Sequence, residues 1–330
     1  MTVVFDNRDR RFDPNYSASP IYGSVVPRKS IIFNINTFYS DGGQAVHGAF
    51  KGIVDSWSFD YDVNGDSIVT AQCSDLFGVL SKQNVTLTSP PAETSAARMV
   101  RVLTSSGVAF TQQINISGAV FTLGTSSYSG NALEYLQQIA ASEQGYLYAT
   151  PDMISLLGWN HFTSSQVLTT FSDTGQSGHI PFVALSTTYD TDEFYNYVTL
   201  TSAAGTVIAQ NLTSQNNYEI SAYDLPVLQA GTAEMGTVAS YIASAYGDPR
   251  FRISDVTVAL DNVAIKDLPY GYLDALQPEI GNYASVIWTP NSIGSAVTQS
   301  GWIVGKSISA RPGSCTLTYS FSGPELRSFY

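Results

Sequence analysis

The stretch FKGIVDSWSFDYDVNGDSIVTAQCS, residues 50–74, decides the fold class, because two alternating runs flank a strong turn signal. The first run places one set of side chains on one strand face: Ile53, Asp55, Trp57 and Phe59. The second run alternates two sets: Val69, Ala71 and Cys73 against Ile68, Thr70 and Gln72. Asn64-Gly65 between them predicts a two-residue type I′ turn. Since period-two alternation is typical of half-buried strands, we predict a β-hairpin over residues 50–75.

The composition extends this prediction to the whole chain. The 330 residues are 44% hydrophobic and 12% aromatic, enough for two domain-sized cores. Only 13% are charged, against about 25% in an average protein, while Tyr, Phe, Gly, Ser and Thr are abundant. We therefore predict a mainly β protein with a few helices, of the α+β class.

Three segments show helical periodicity instead. The clearest is 131–144, with an apolar stripe, an Asn131 cap and Gly145 as the expected stop: Leu133, Leu136, Ile139 and Ala140. A second, over 93–105, has its own stripe: Ala96, Val100 and Leu103. The third spans 232–246 and ends at a Gly-Asp-Pro stop, with its stripe on one face: Met235, Val238, Ile242 and Tyr246.

Charge and hydropathy exclude several functions. A net charge of −12 disfavours any protein that holds nucleic acid through clustered Lys and Arg. Apolar stretches such as Val3–Phe5 are far shorter than the ~20 residues that span a bilayer, and no export leader opens the sequence. Cys73 and Cys315 lie in strand-like runs without neighbouring His, so we predict inert buried thiols.

Motifs for catalysis or metal binding are weak. Asp60–Asp66 matches the start of a calcium loop, but Ala71 stands where a bidentate Glu is needed, so the hairpin interpretation is preferred. The densest acidic group is more typical of a solvated turn than of catalysis: Asp190, Asp192 and Glu193. The three histidines have no partners at ligand spacing: His47, His161 and His179. We predict no catalytic, cofactor or metal site, and no enzyme.

Turn-rich stretches near residues 88–91 and 172–181 predict three parts. These are a first β domain over 1–89, a connecting α+β domain over 90–184, and a second β domain over 185–330 with an inserted helix near 232–246. The hairpin at 50–74 also resembles a later one at 301–320, since each joins a Gly-flanked aliphatic strand to a Thr-rich return strand. On this pattern alone, duplication and coincidence are equally supported.

The opening segment carries a more specific signal. VVFDNRDRRFDP, residues 3–14, closely resembles a phrase in minor tail proteins of long-tailed phages, especially those of actinobacteria. The resemblance continues in order along nearly the whole chain, through GIVDSW at 52–57, NALEYL at 131–136, YGDPR at 246–250 and GWIVGK at 301–306. The chain is similar to this family through the ordered set of phrases, since no single phrase is diagnostic.

The resemblance implies a tail-tip or baseplate hub with two tail-tube-like β-barrel or sandwich domains joined by an α+β domain. It implies a homotrimer in the virion tail tip, made and assembled in the host cytoplasm, whose six domains match a hexameric tail. The implied partners are a distal tail ring protein above, a fibre, spike or receptor-binding protein below, and the tape measure protein. It also implies that the first domain lacks N-terminal strands or borrows them, and that receptor binding or lysis belongs to other chains.

In this interpretation genomic DNA passes through without specific binding, and the channel is lined mainly by Asp, Glu, Ser, Thr and Asn. Near the start, Arg8, Arg10 and Arg11 alternate with Asp6, Asp9 and Asp13, which favours a local lattice of ion pairs over a docking edge. Three alternatives remain. They are a distal tail ring protein, a carbohydrate-binding module that stacks sugars on Trp159 and Trp288, and a cell-wall hydrolase that uses the acidic group at 190–193.

Overall fold

The computed structural model describes residues 1–38, 44–108, 110, 112–163, 165–174, 176–262, 265 and 272–323. Strands account for 44% of the chain and helices for 19%, which confirms the mainly β, α+β prediction. The strands are, in chain order, β1 Thr2–Asp6, β2 Ser30–Phe38, β3 Gln44–Tyr61, β4 Ser67–Ser74, β5 Asn84–Leu87, β6 Glu93–Thr94, β7 Gln113–Ser117, β8 Thr122–Leu123, β9 Tyr128–Asn131, β10 Tyr146–Ala149, β11 Met153–Leu157, β12 Thr169–Ser172, β13 Ile180–Pro181, β14 Ala184–Tyr189, β15 Tyr197–Ser202, β16 Gly205–Gln210, β17 Ala222–Pro226, β18 Phe251–Ala259, β19 Tyr283–Trp288, β20 Val297–Arg311 and β21 Ser314–Ser322. The α-helices are α1 Leu76–Leu80, α2 Ser95–Leu103, α3 Ala132–Glu143, α4 Leu212–Tyr218, α5 Thr232–Ala245 and α6 Tyr272–Leu276; His161–Thr163 and Pro290–Ser292 are 3₁₀ turns.

Helices α3 and α5 form where the sequence predicts them. Asn131 caps α3 by accepting hydrogen bonds from the amides of Leu133 and Glu134, and α5 buries the predicted stripe. The C-terminal end of α3 differs from the prediction, because Gln144 and not Gly145 takes the left-handed conformation, with φ +49°. The amide of Gly145 instead closes the helix on the carbonyl of Ala140.

The stripe predicted for α2 is wrong at Val100, although Leu103 is buried as predicted. Val100 is 40% exposed, whereas Arg98 and Met99 are fully buried, so the buried face is rotated away from the predicted one. The cause is partly tertiary: the interior partners of Arg98 include Tyr135 and the carbonyl of Gly124, which lie far along the chain and which apolar periodicity cannot detect. The short helices α1, α4 and α6 were not predicted from the sequence.

The first sheet has the order β1-β4-β3-β2 and contains the predicted hairpin, since Tyr61 pairs with Ser67 across the β3–β4 turn. The turn is not type I′. The amide of Gly65, with φ +95°, bonds to the carbonyl of Asp62, and the amide of Asp62 bonds to the carbonyl of Asp66. These bonds describe a three-residue loop with its glycine in the positive-φ position.

The predicted strand face on β3 is also wrong at one point. The register shifts between Val54 and Ser56, so Asp55 is an extra residue, a β-bulge, opposite β4. Because a bulge reverses the side-chain alternation, Val54 and Trp57 share the buried face and Ile53 does not lie with Trp57.

The second sheet has seven strands in the order β13-β12-β19-β20-β21-β18-β14. Its central part, β18-β21-β20-β19, repeats the order and antiparallel pairing of β1-β4-β3-β2. The bulge repeats as well, because the register of β20 shifts between Ile303 and Gly305, the residues that correspond to Val54 and Ser56 in the hairpin match. The likeness seen in sequence thus covers four strands of each sheet.

A close backbone approach marks the same place in both sheets. A Cβ added to Gly52 would lie 2.1 Å from the carbonyl oxygen of Ser74, and one added to Gly301 would lie 2.4 Å from that of Ser322. Real Cβ atoms do not approach this closely, so both strands need glycine here. The two glycines occupy corresponding registers beside the two bulges.

Two smaller layered units complete the fold. Helices α2 and α3 share an apolar cluster with β5 and with β11 of the sheet β10-β11-β7, and α5 packs on one face of the sheet β16-β15-β17. The predicted inserted helix therefore contacts this three-stranded sheet through residues such as Val198 and Leu200. No helix of the described residues is long and apolar enough to cross a membrane.

Candidate functional site: the faces of two equivalent sheets

Each of the two equivalent four-stranded sheets has a face of small polar side chains, which we call its polar face. On the second sheet it comprises Asp255, Thr257, Ala259, Gly305, Ser307, Ser309, Thr316, Thr318 and Ser320. On the first sheet the corresponding residues are Thr2, Val4, Asp6, Ser56, Ser58, Asp60, Ile68, Thr70 and Gln72.

Hydrogen bonds across the strands fix these side chains at corresponding places. Ser320 Oγ donates to Asp255 Oδ1 at 2.8 Å, and at the matching register Thr2 Oγ1 donates to Gln72 Oε1 at 2.7 Å. Side chains bonded to one another in this way present an even, hydroxyl-rich and weakly acidic surface. Such a surface has few groups that could bind an anion.

The two polar faces are not identical. Val4 and Ile68 are 60% and 45% exposed on the first sheet, where the second sheet has Thr257 and Thr316. The second face therefore has the composition predicted for a channel lining, whereas the first adds exposed aliphatic side chains to it.

Nearby charges are paired locally. Lys51 on β3 lies 3.2 Å from Asp152, and in the opening segment Arg8 pairs with Asp6. The Arg8 side chain and amide, both bonded to Asp6, lower the pKa of Asp6 to about 2. The remaining two pairs of this segment are Arg10–Asp13 at 2.6 Å and Arg11–Asp9 at 3.2 Å. The charges thus pair within the segment, but as three separate pairs and not as the connected lattice that the sequence favoured.

The opposite faces, which we call the core faces, differ in how well they are covered. On the second sheet four core-face residues are fully buried: Val256, Val258, Ala284 and Val286. Their counterparts on the first sheet are all partly exposed: Val3, Phe5, Ile31 and Phe33. The segment between β1 and β2 covers part of the first face, where Phe12 stacks on Phe5 with ring centroids 4.6 Å apart.

The two sheets meet where the β2–β3 hairpin extends past the rest of the first sheet. Ile35 packs against the core of the second sheet. His47 is half-buried, and its pKa is lowered by burial and by the Lys306 cation. Lys306 Nζ in turn donates to Glu279 Oε1 at 2.9 Å and to the carbonyl of Leu276 at 2.6 Å. The contact between the sheets therefore combines an apolar side chain with a small polar cluster.

The residues considered for sugar binding are not available for it. Trp159 and Trp288 are only 8% and 9% exposed, and Trp159 packs against Phe121 and Tyr241. Because a sugar stacks on an open aromatic face, the support for a carbohydrate-binding module from these residues is removed.

The acidic group at 190–193 is divided between a turn and an ion pair. Asp190 accepts the amide of Asp192, and Glu193 lies 3.5 Å from the buried Arg252. Neither arrangement places two carboxylates around a cleft.

Among the histidines, His161 bridges Ser117 Oγ at 3.1 Å and the carbonyl of Gly281 at 3.0 Å, which ties the middle of the chain to the second sheet.

The remaining candidates lie apart from any reactive arrangement. The calcium-like segment 60–66 forms the β3–β4 hairpin end, and within the described residues no three His, Cys, Asp or Glu side chains converge as a metal site would require. Cys73 is buried and Cys315 half-buried, both are unpaired thiols, and burial raises the pKa of each. A thiol with a raised pKa forms little thiolate, as the prediction of inert cysteines requires.

Two charged residues that are fully buried, Arg98 and Glu143, were not identified from the sequence. Arg98 donates to Glu93, to Tyr135 Oη and to the carbonyls of Pro91 and Gly124. This network fastens α2 to α3 and to the strands beside it. In the sequence Arg98 lies opposite the predicted apolar stripe of α2, where an arginine is interpreted as a surface residue unless its partners are known.

Glu143, at the end of α3, is fully buried. Its carboxylate accepts hydrogen bonds from the amides of Val120, Phe121 and Trp159 and from Ser95 Oγ, at 2.7, 3.0, 3.3 and 2.5 Å. Burial raises its pKa, and these hydrogen bonds act in the opposite direction. The site is structural, because every described contact of the carboxylate joins it to the protein's own backbone or hydroxyl groups.

Comparison with solved structures identifies the fold. The chain is similar to a tail protein from Neisseria meningitidis MC58, with 14% identity, 92% of this chain and 90% of that one covered, and a TM-score of 0.59. It is similar to the 43 kDa tail protein of prophage MuSo2 from Shewanella oneidensis, with 12% identity, coverage of 91% and 90%, and a TM-score of 0.55. It also resembles an E. coli component of the type VI secretion system that exhibits structural similarity to the T4 bacteriophage tail proteins gp27 and gp5, with 10% identity, coverage of 100% and 71%, and a TM-score of 0.50. No family model and no curated protein matches the sequence. The chain therefore has the fold of phage tail proteins.

Proposed function

We propose that the chain is a structural hub of a phage tail tip or baseplate, that three copies form a ring, and that the ring lines the channel through which the genome leaves. One observation carries the proposal: a single chain contains two four-stranded sheets of the same order, with bulges and tight glycines at corresponding registers. Three such chains supply six similar sheets, so one face of the ring can match a six-fold tail while the other retains three-fold symmetry.

The surfaces agree with this function. The polar faces of the two sheets supply hydroxyl, amide and carboxylate groups, and the net charge of −12 repels phosphates. A channel lined by such groups lets DNA slide, whereas unpaired Arg or Lys would retain it. We propose that the polar faces line the channel, with the first domain in 1–89, the connecting domain in 90–184 and the second domain in 185–330.

The protein acts by shape and not by catalysis in this proposal. Its partners are a distal tail ring protein on the six-fold side, a fibre, spike or receptor-binding protein on the three-fold side, and the tape measure protein in the channel. Its place is the tail tip of a virion assembled in the host cytoplasm. The fold shared with phage tail proteins supports this assignment.

The mass of the assembled particle tests the proposal. Native mass spectrometry of the purified protein should give three times the chain mass of 35.5 kDa. Six copies would identify a distal tail ring protein instead. A single copy at every concentration, or peptidoglycan cleavage by the purified protein that is lost in Asp192→Asn, would overturn the hub.

A further inference from the structure

We infer that the outer edge of β1 accepts a β-strand from a different polypeptide, an extended segment with an aliphatic side chain between small or hydroxyl-bearing ones. The added strand takes, on the first sheet, the place that β14 takes on the second. The inference uses the proposed function only to identify this polypeptide as another component of the tail.

The backbone groups of alternate β1 residues point away from the first sheet. The amino group of Met1 donates to the carbonyl of Cys73 at 2.7 Å, and the amide of Cys73 donates back to the carbonyl of Met1 at 2.8 Å. At the other end the amide of Asn7 donates to the carbonyl of Ser67 at 2.8 Å. Because residues of an antiparallel pair face the partner strand alternately, the residues between these contacts that face outward are Thr2, Val4 and Asp6. Within the described part of the chain, no backbone hydrogen bond joins these three residues to another strand on that side.

The equivalent edge of the second sheet is occupied. When the two sheets are matched by register, β1 corresponds to β18 and Val4 corresponds to Thr257. Strand β14 lies antiparallel to β18, and the amide of Val183 donates to the carbonyl of Thr257 at 2.8 Å. The carbonyl of Val4 therefore points to the place from which its counterpart receives a hydrogen bond.

The side chains of the two strands differ in the same sense at every matched position. Residues 2–6 are alternately exposed and half-buried, whereas residues 255–259 are alternately half-buried and buried. On the core face Val256 is fully buried opposite Leu185 of β14, while its counterpart Val3 is partly exposed. One strand added beside β1 would lower the exposure of all five residues together.

Strand β1 has few of the features that prevent strand addition. Edge strands of soluble proteins are commonly protected by lysine, proline or a bulge. The sequence TVVFD of β1 contains neither lysine nor proline, and its register with β4 is continuous. Its one charged residue, Asp6, is the last of the strand and is paired with Arg8. By contrast β17, an edge strand of the sheet β16-β15-β17, includes Asp224 and Pro226.

The added strand comes from a different polypeptide because the strands of this chain are already in use. All 21 strands of the described residues belong to a sheet of their own chain, so a second copy has no unpaired strand among them to lend. Strand β14 shows the side chains that such a place takes. Ala184 and Ser186 lie on the polar face, and Leu185 lies on the core face between them. Main-chain hydrogen bonds supply the affinity in strand addition, and the alternate side chains supply the selectivity.

A synthetic peptide with the sequence of residues 182–189, FVALSTTY, tests the edge on the assembled wild-type protein. With fluorescein at its C-terminus, the peptide should bind saturably in fluorescence anisotropy. N-methylation at Val183 removes the amide that bonds to Thr257 in the second sheet, so it should weaken binding by about tenfold or more. N-methylation at Leu185 is the matched control. Because Val256 opposite it faces β21, the amide of Leu185 points away from β18, and its methylation should change binding by less than about twofold.

Variants of the protein test the same edge from the other side. Val4→Pro removes an outward amide and no hydrogen bond to β4, as proline in an edge strand permits. It should weaken peptide binding by about tenfold or more, with unchanged far-UV circular dichroism. Val4→Thr, which places on β1 the residue found in β18, is the control and should bind as the wild type does. A peptide with p-benzoylphenylalanine in place of Leu185 should cross-link within residues 1–8.

The outcomes separate the inference from the proposed function. Equal binding of the two N-methylated peptides, or cross-links only to other segments, would overturn the strand site. Absence of binding to the assembled protein would also overturn it, as when a second copy already covers β1. If Val4→Pro does not fold, the N-methylated peptides decide, since they are tested on the wild type. Native mass spectrometry is independent: three copies without peptide binding overturn the strand site alone, and one copy with peptide binding overturns the ring alone.

Discussion

At the scale of single residues, buried polar groups fasten the connecting part of the chain. Glu143 joins four donors that lie in three separate segments, and its partner amides at Val120, Phe121 and Trp159 would otherwise be buried without acceptors. The sequence predicted α3 well but gave no sign of this role, because Glu143 is a polar residue in the last turn of an amphipathic helix. Its partners are brought to it only by tertiary structure.

We predict that Glu143→Gln lowers the free energy of unfolding by about 2 kcal/mol, since the amide group of Gln presents a donor where the protein already presents donors. Glu134→Gln, on the exposed face of the same helix, should change it by less than about 0.5 kcal/mol. Urea unfolding measures both. Equal stability of the two variants would contradict the structural role of Glu143.

A second prediction at this scale concerns alkaline pH. Burial raises the pKa of Tyr223 from its ordinary value of 10.0 to about 12. Because the folded state holds the proton more tightly than the unfolded state, this stabilisation is complete below pH 10 and is lost as the pH rises to about 12. Between pH 9 and 11.5 the wild-type Tm should therefore fall more steeply than that of Tyr223→Phe, by the equivalent of about 2 kcal/mol at most. Tyr22→Phe, a change at a 56% exposed ring, should follow the wild type.

At the scale of elements, hairpins and helices follow local sequence, whereas bulges and helix faces follow contacts. The strands around 50–74 and the helix at 232–246 were predicted because their periodicity and turn residues are local. The extra residue at Asp55 was not, since a bulge appears only when the partner strand is known. The buried face of α2 was predicted wrongly for the same reason, because Arg98 bonds to Tyr135 and to the carbonyl of Gly124, which lie far along the chain.

The glycines beside the two bulges provide a test at this scale. Gly52→Ala and Gly301→Ala should each destabilise the protein by about 2 kcal/mol or more, because the new methyl group meets a backbone carbonyl that cannot move independently. Gly236→Ala is the matched control, since it lies in α5 with open space around it and should stabilise by about 0.5 to 1 kcal/mol. Urea unfolding gives all three values, and a neutral effect at positions 52 and 301 would contradict the shared backbone approach.

At the scale of the whole molecule, the sequence indicated a mainly β chain, and the fold is that of phage tail proteins. The two sheets could be matched from sequence only through their hairpins, because the flanking strands of the first and second sheets share the pairing but few residues. Backbone pairing retains the relationship after the side chains have diverged. The polar faces could not be assigned from sequence, as they depend on which strands lie side by side.

The proposed channel lining can be tested on the assembled particle. Thr70→Lys with Thr318→Lys places one cation on each polar face, six per trimer, where the wild type presents hydroxyl groups. We expect the double variant to retard duplex DNA in gel shift at low salt, with binding that weakens steeply as salt is added, while the wild type does not bind. Glu in place of Lys at both positions is the control. Equal DNA binding by the wild type and the Lys variant would contradict a repulsive wall.

The presence of both sheets on one polypeptide has a genetic consequence. In a ring of six identical subunits every codon change appears six times, whereas here a change in one sheet leaves its sister untouched. The two sheets already differ in this way, since Val4 of the first corresponds to Thr257 of the second and Ile68 corresponds to Thr316. In the proposed ring, alternate sectors of the channel wall can therefore evolve different affinities, while translation of both sheets on one chain keeps their numbers equal.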